Sequence, residues 1–318
     1  MRNGKRLIRV QYRHIQWPTV NARNAGCTGG PWMGYLKGRG DVEFVDKDPD
    51  VVIFDVYSPE CMKVEVDGSY TITLPDIPAG PVRILLSLEP VIVDMSKCDY
   101  AFAWRHREDI NSPNYFRRPP TVQTNKGQDL VKPPNYNAHK IVKSKTKFCS
   151  FVYTHQVPFR EEFCRLLSER KHVDCLGVRL NNVGGALPKI PWTEQEGRLL
   201  NQPAEIMSQY KFTFAFENTV QSGYVSEKII EAMLADTIPI YWGHADVKRD
   251  FNPDSFINLR DYWRIDSAID RILEIDSNPE LHAQILANPW FHNNTPTKWF
   301  TGEINETLVE VFTEIANR

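Results

Sequence analysis

Tyr210–Gly243, YKFTFAFENTVQSGYVSEKIIEAMLADTIPIYWG, holds two apolar runs with a dense polar turn and a further apolar segment between them. YKFTFAF and TIPIYWG are short and rich in aromatic and β-branched residues, which suits buried strands. IIEAMLA places Ile229, Ile230, Met233 and Leu234 on one face of a helix. Strand, helix and strand in that order make a parallel crossover. Glu217, Asn218, Tyr224, Ser226, Glu227 and Lys228 then fall on the strand-to-helix turn, and in an open α/β sheet ligands bind at that edge. Ser226 is expected as the N-cap, its hydroxyl accepting from a backbone N–H one turn in. A lysine in the first turn opposes the helix dipole, so Lys228 suits an external anion such as a diphosphate, which the free N–H groups of the turn would also hold.

The alternation continues on both sides. Upstream lie KFCSFVY, REEFCRLLSER, HVDCLG, the loop VRLNNVGGALPKIPW and QPAEIMSQY; downstream come helical patterns around IDSAIDRILEI, ELHAQILA and INETLVEVFTEIAN. Nearer the amino end, LIRV, DVEFV, DVVIFDVY, VRILLSLE and DYAFAW are strand-like runs separated by turn signals. Between the two halves, residues 117–147 are rich in proline, lysine and polar residues without a period, and read as a linker or loop. The expected fold is α/β: two Rossmann-like domains facing a cleft, a GT-B-like architecture. The boundaries are 1–145 and 146–318, with the last helices free to cross back to the first domain. At roughly 150 residues per domain, a chain of 318 has material for both cores.

Composition removes several function classes. A formal net charge of -2, with 25% charged and 42% hydrophobic residues, gives no global reason to bind nucleic acid or an acidic bilayer. Charges break up the apolar residues of the first 18 positions, so no signal-peptide core is read there, and no run approaches the ~18 residues of a spanning helix. The six cysteines show neither C-x-x-C pairs nor histidine partners at metal spacing, and read as reduced thiols of a cytoplasmic protein. DKDPD offers Asp46 and Asp48 as an Asp-x-Asp metal pair, the basis of an alternative metal-dependent glycosyltransferase; a solvated turn is the plainer reading. GRGDVEF lacks the third glycine of a dinucleotide fingerprint, and no Walker loop, H-E-x-x-H or G-x-S-x-G occurs. His155 and His244 follow strands and read first as structural; Trp17 and Trp32 suit either a core or a sugar-stacking wall.

Tyr210–Gly243, together with DFNPDSFINLRDY at Asp250–Tyr262, resembles the donor-binding signature of the α-1,3/4-fucosyltransferases, glycosyltransferase family 10, in particular the bacterial members that make Lewis-type antigens. FCSFVYTHQVPFREEFCRLL, with Arg160, and VDCLGVRLNNVGG, with Arg179, resemble the segments that open the family's donor domain. SLEPVIVDMSKCDYAFAW resembles the segment carrying the family's general base, with Glu89 at that position in a Ser-Leu-Glu-Pro context where the family has Gly-Glu-Asn. The resemblance implies inverting transfer of L-fucose from GDP-fucose to a GlcNAc hydroxyl, α-1,3 or α-1,4, of a lactosamine-type oligosaccharide acceptor, with no metal or other cofactor. Glu89 would be the base. Arg179, Asn218, Tyr224, Glu227 and Lys228 would bind the donor, supported by Arg160, Glu217 and Ser226. The family's bacterial members act on lipopolysaccharide, so contact with a lipid-linked acceptor at the inner membrane stays open. A catalytically silent nucleotide-sugar or glycan-binding protein of the same fold is the alternative.

Overall fold

The computed structural model describes residues 7–13, 41–56, 58–64, 70–87, 89–118, 127–185, 206–297, 300 and 303–318. Trp17 and Trp32 lie outside them. The chain divides into two compact units, Met1–Gln123 with Thr301–Arg318, and Thr124–Phe300.

The first unit holds strands β1 (Ile8–Arg13), β2 (Val42–Phe44), β3 (Val51–Phe54), β4 (Met62–Val64), β5 (Tyr70–Ile72), β6 (Val82–Leu86), β7 (Tyr100–Ala103) and β8 (Tyr115–Arg117). β4 and β5 form an antiparallel pair; the other six make a wholly parallel sheet in the order β2-β1-β3-β6-β7-β8. All four residues of β3 and all four of β7 are buried, as expected of apolar runs in a parallel sheet covered on both faces.

The second unit runs α1 (Ala138–Ser144), β9 (Lys147–Phe151), α2 (Pro158–Arg170), β10 (Asp174–Cys175), β11 (Tyr210–Phe216), α3 (Glu227–Leu234), β12 (Ile238–Trp242), α4 (Val247–Asp250), β13 (Ile257–Asn258), α5 (Ile265–Ser277) and α6 (Pro279–Ala287). Its five strands are parallel, in the order β10-β9-β11-β12-β13. The chain leaves β9 outward to β10, then returns to the opposite side of β9 for β11, so the strand order reverses between β9 and β11. A doubly wound sheet opens a crevice at such a point, at the carboxyl ends of the two strands. The register sets Phe212 against Cys149 on one side and Phe216 against Trp242 on the other, so the core strand ends where Glu217 begins.

Within the stretch that reads as linker, the structure places α1, capped by the Asn137 side chain accepting from Lys140 N–H and burying Ala138 and Val142. At seven residues it is too short to show a period in the sequence. The last helix, α7 (Glu303–Ala316), belongs to the first unit, where Leu308, Val311, Phe312 and Ile315 form its buried stripe. The five described cysteines are buried and unpaired, and no helix among the described residues is long and apolar enough to cross a membrane.

Candidate functional site

Tyr153, two residues beyond β9, closes the sheet at the reversal. Its hydroxyl accepts from Phe216 N–H at 2.8 Å and donates to Phe214 C=O at 3.0 Å, bridging strands whose backbones no longer pair. The Arg160 guanidinium, from the first turn of α2, lies 3.7 Å over the Tyr153 ring. Its Nη2 donates to Phe216 C=O, Glu217 C=O and Asn218 Oδ1 at 2.9, 3.0 and 2.9 Å. Arg160 is 1% exposed and its Nε has no partner. Burial lowers its pKa, yet the nearby phenol and carboxylates keep a guanidinium charged. One buried cation thus shapes the end of β11 and turns the Asn218 side chain.

Glu217 is fully buried. Its Oε1 accepts from Ser226 N–H at 2.8 Å and its Oε2 from the Ser226 hydroxyl at 2.6 Å, with Lys228 Nζ at 3.7 Å. Ser226 occupies the N-cap of α3 but makes no side-chain cap bond. The expected capping role is therefore corrected: the hydroxyl donates backwards to Glu217 and accepts from Lys228 Nζ at 2.9 Å. The physical reason is that the Lys228 ammonium is a stronger donor to that hydroxyl than a helix N–H, while the buried Glu217 carboxylate takes its proton.

Lys228 Nζ also reaches Glu227 Oε1 at 3.2 Å, and its side chain is 17% exposed. Burial alone would pull the lysine pKa down; Glu227 and Glu217 outweigh it and push it above the usual lysine range. Desolvation raises Glu227, and Lys228, its own backbone N–H and Arg160 more than offset that, so its carboxylate is held ionised. Glu217 moves the other way, raised by burial against the pull of Lys228 and Ser226. Gly243 matters here for space: a Cβ would meet the Tyr241 hydroxyl at 2.2 Å and Glu217 Cγ at 3.0 Å. Tyr224 is buried within electrostatic reach of Arg160, after a turn that Gly223 makes at φ +78.

Arg179 sits on the loop after β10. Its backbone N–H donates to Tyr153 C=O at 3.0 Å, and its Nε to Glu161 Oε1 at 2.6 Å. Glu161, on α2, is 3% exposed and fixes one side of a guanidinium that is 34% exposed. The structure therefore joins Arg160, Glu217, Asn218, Ser226, Glu227 and Lys228 in one network, with Tyr224 beside it and Arg179 linked through Tyr153. Tyr153 and Glu161 escaped the sequence reading; the one signal for Tyr153 was its place at the end of a strand run.

Glu89 belongs to the first unit, on the loop after β6. It is half-buried, and Trp104 Nε1 donates to its carbonyl at 2.6 Å. Asp46 and Asp48 lie in an exposed turn where Asp48 adopts φ 47. No three His, Cys, Asp or Glu side chains come together in metal-binding fashion among the described residues. His244 Nδ1 lies 3.1 Å from Asp246 within the turn after β12, and Asp246 accepts from the Ser222 hydroxyl, which ties the turn before α3 to the one after β12.

The family model for glycosyltransferase family 10 (fucosyltransferase), C-term, matches residues 142–304, just over half of the chain. The α-(1,3)-fucosyltransferase FucT of Helicobacter pylori is 49% identical over 143 residues, covering 45% of this chain and 27% of that protein. A putative fucosyltransferase, R654, of Acanthamoeba polyphaga mimivirus is 36% identical over 152 residues, covering 48% and 25%. The matched part thus spans about a quarter of each of these relatives. A crystal structure of an α1,3-fucosyltransferase with GDP-fucose shares the fold with a TM-score of 0.68 at 21% identity, over 99% of this chain and 92% of that one, and places the two parallel sheets in the GT-B class. With the matched segment spanning the network around Glu217 and Lys228, the chain belongs to glycosyltransferase family 10, the fucosyltransferases.

Proposed function

We propose that the protein transfers L-fucose from GDP-fucose to a GlcNAc hydroxyl of a lactosamine-type glycan, α-1,3 or α-1,4, with inversion at the anomeric carbon. The observation that carries the reading is the Lys228 ammonium, held by Glu217, Ser226 and Glu227 at the amino end of α3. A departing nucleoside diphosphate gains negative charge in the transition state, and a fixed cation at the amino end of a helix stabilises it there. Arg179 adds a second cation, so the proposal requires no metal ion for this role. The ionised Glu227 carboxylate, 42% exposed, can accept hydrogen bonds from sugar hydroxyls. Asn218, whose side chain Arg160 holds, and Tyr224 position the donor. Glu89 takes the proton of the acceptor hydroxyl as the new glycosidic bond forms.

The test is GDP release from GDP-fucose in the presence of N-acetyllactosamine, with and without EDTA, for the wild type and Glu89→Ala. Acceptor-dependent release that survives EDTA and falls at least ~100-fold in Glu89→Ala is expected. Donor binding without turnover on lactosamine and related glycans would overturn the proposal in favour of a silent binding protein. Loss of turnover with EDTA would overturn its metal-free form.

A further inference from the structure

The loop after β10 is tied down on every side. Leu180 takes φ 52, a left-handed backbone that leucine adopts only where its surroundings impose it. Two asparagines supply those surroundings. Asn182 Oδ1 accepts from Cys175 N–H at 2.8 Å while its Nδ2 donates to Val173 C=O at 2.9 Å, so one side chain spans β10. Asn181 Nδ2 donates to Gly177 C=O at 2.9 Å. Gly177 packs directly on the Tyr153 backbone, where a Cβ would meet the carbonyl oxygen at 2.3 Å. Arg179 N–H donates to that same carbonyl, so its backbone is fixed before any ligand arrives.

Its side chain is aimed from α2. Glu161 follows Arg160 in the first turn of that helix and is buried, and its Oε1 accepts from Arg179 Nε at 2.6 Å. Glu161 Oε2 meets only the exposed Arg165, at 3.4 Å. The bond engages Arg179 through Nε alone, and neither Nη has a hydrogen-bond partner among the described residues. One helix turn therefore serves both sides of the strand reversal: Arg160 holds Asn218 after β11, and Glu161 holds Arg179 after β10.

That carboxylate has two opposed effects on a bound anion. Its charge repels a diphosphate and offsets part of the attraction of Arg179. Its grip removes rotamer freedom that a long side chain would otherwise lose on binding. Arg179 is partly exposed, so solvent screens the first effect, whereas the ordering cost is not screened. The second effect is therefore the larger.

We propose that Glu161 is a positioning residue for Arg179, preordering the guanidinium with both Nη groups free to take the diphosphate of the nucleotide sugar. The inference rests on the reading of Arg179 as a donor-binding cation.

Two measurements on the full chain test this. The first is calorimetric titration of GDP over a double-mutant cycle of Glu161 and Arg179. Glu161→Ala is expected to weaken GDP about tenfold, and Glu161→Gln, which keeps the shape but offers only a neutral acceptor, about threefold. In an Arg179→Ala background either change shifts the affinity by less than about twofold, as does Arg165→Ala in the wild type. Tighter GDP binding in the Glu161 variants would make the carboxylate a mere neutraliser of Arg179 and overturn the proposal. Equal losses with and without Arg179 would mean a structural residue and overturn it too. If Glu161→Ala does not fold, Glu161→Gln carries the cycle. The second measurement follows the Arg179 Nε–H by nitrogen-15 NMR, assigned as the signal lost in Arg179→Ala. Exchange with water that is slow in the free wild type and at least ~10-fold faster in Glu161→Gln is expected; free exchange in the wild type overturns the pairing itself. Wild-type protein that binds no GDP yet keeps a protected Nε–H is a different result: it overturns the proposal through the donor reading, leaving the pair intact.

Discussion

Arg160 offers one guanidinium nitrogen to three acceptors at 2.9–3.0 Å, stacked on an aromatic face and closed off from water. Arg160→Ala strands two backbone carbonyls and the Asn218 side chain in a buried turn, and is expected to cost about 3 kcal/mol or more of stability, measured by denaturant unfolding. Arg160→Lys recovers only part of this, since an ammonium cannot reproduce the planar fork. Lys228→Ala acts elsewhere: it removes the cation beside the leaving group, so kcat on GDP-fucose should fall at least ~100-fold with far smaller loss of fold stability. The polar residues of this turn were legible in the sequence because they crowd a strand-to-helix junction. The direction of the Ser226 bond was not, because it depends on Glu217 folding back across nine residues to meet it. Glu161 was invisible for a related reason: its partner, Arg179, is distant in sequence and is brought near by the fold of the second unit.

At the scale of single elements, α6 carries a buried histidine. His282 is fully buried, stacks on Phe212 at 5.7 Å, and neither ring nitrogen has a partner. Burial, with Lys211 and Lys145 adding to it, lowers its pKa to about 4 from the ordinary 6.5. The unfolded chain then binds a proton that the folded one does not between those values, so stability is fully present above pH 6.5 and is lost as pH falls toward 4. The loss is on the order of 3 kcal/mol. Replacing His282 by phenylalanine should flatten that part of the stability–pH curve, read from thermal unfolding at pH 4.5 and 7.5; an equally steep curve would show that another group is responsible. The β11–α3–β12 crossover was the most readable part of the fold, since each piece is long enough to show its period. Helix α1 was not, because seven residues, two of them buried, leave no pattern against a lysine-rich background.

Across the whole molecule the chain returns to its first unit at the end, with α7 burying Leu308, Val311, Phe312 and Ile315 there and Glu314 and Arg318 meeting the Tyr100 hydroxyl. Deleting residues 303–318 should therefore destabilise the first unit selectively. Calorimetry of the truncated chain is expected to show an early or missing transition for that unit while the second unit's transition and its affinity for GDP persist. The alternation of strands and helices made the two α/β halves readable, whereas the destination of the last helix is a tertiary choice that its amphipathic stripe does not specify. The central claim is that the turn from β11 into α3 is a socket for a nucleoside diphosphate sugar, and calorimetric titration of GDP into the wild type and Lys228→Ala tests it most directly. Binding in the wild type that weakens at least ~10-fold in Lys228→Ala is predicted; the same affinity for GDP in both proteins, or none in either, would contradict it.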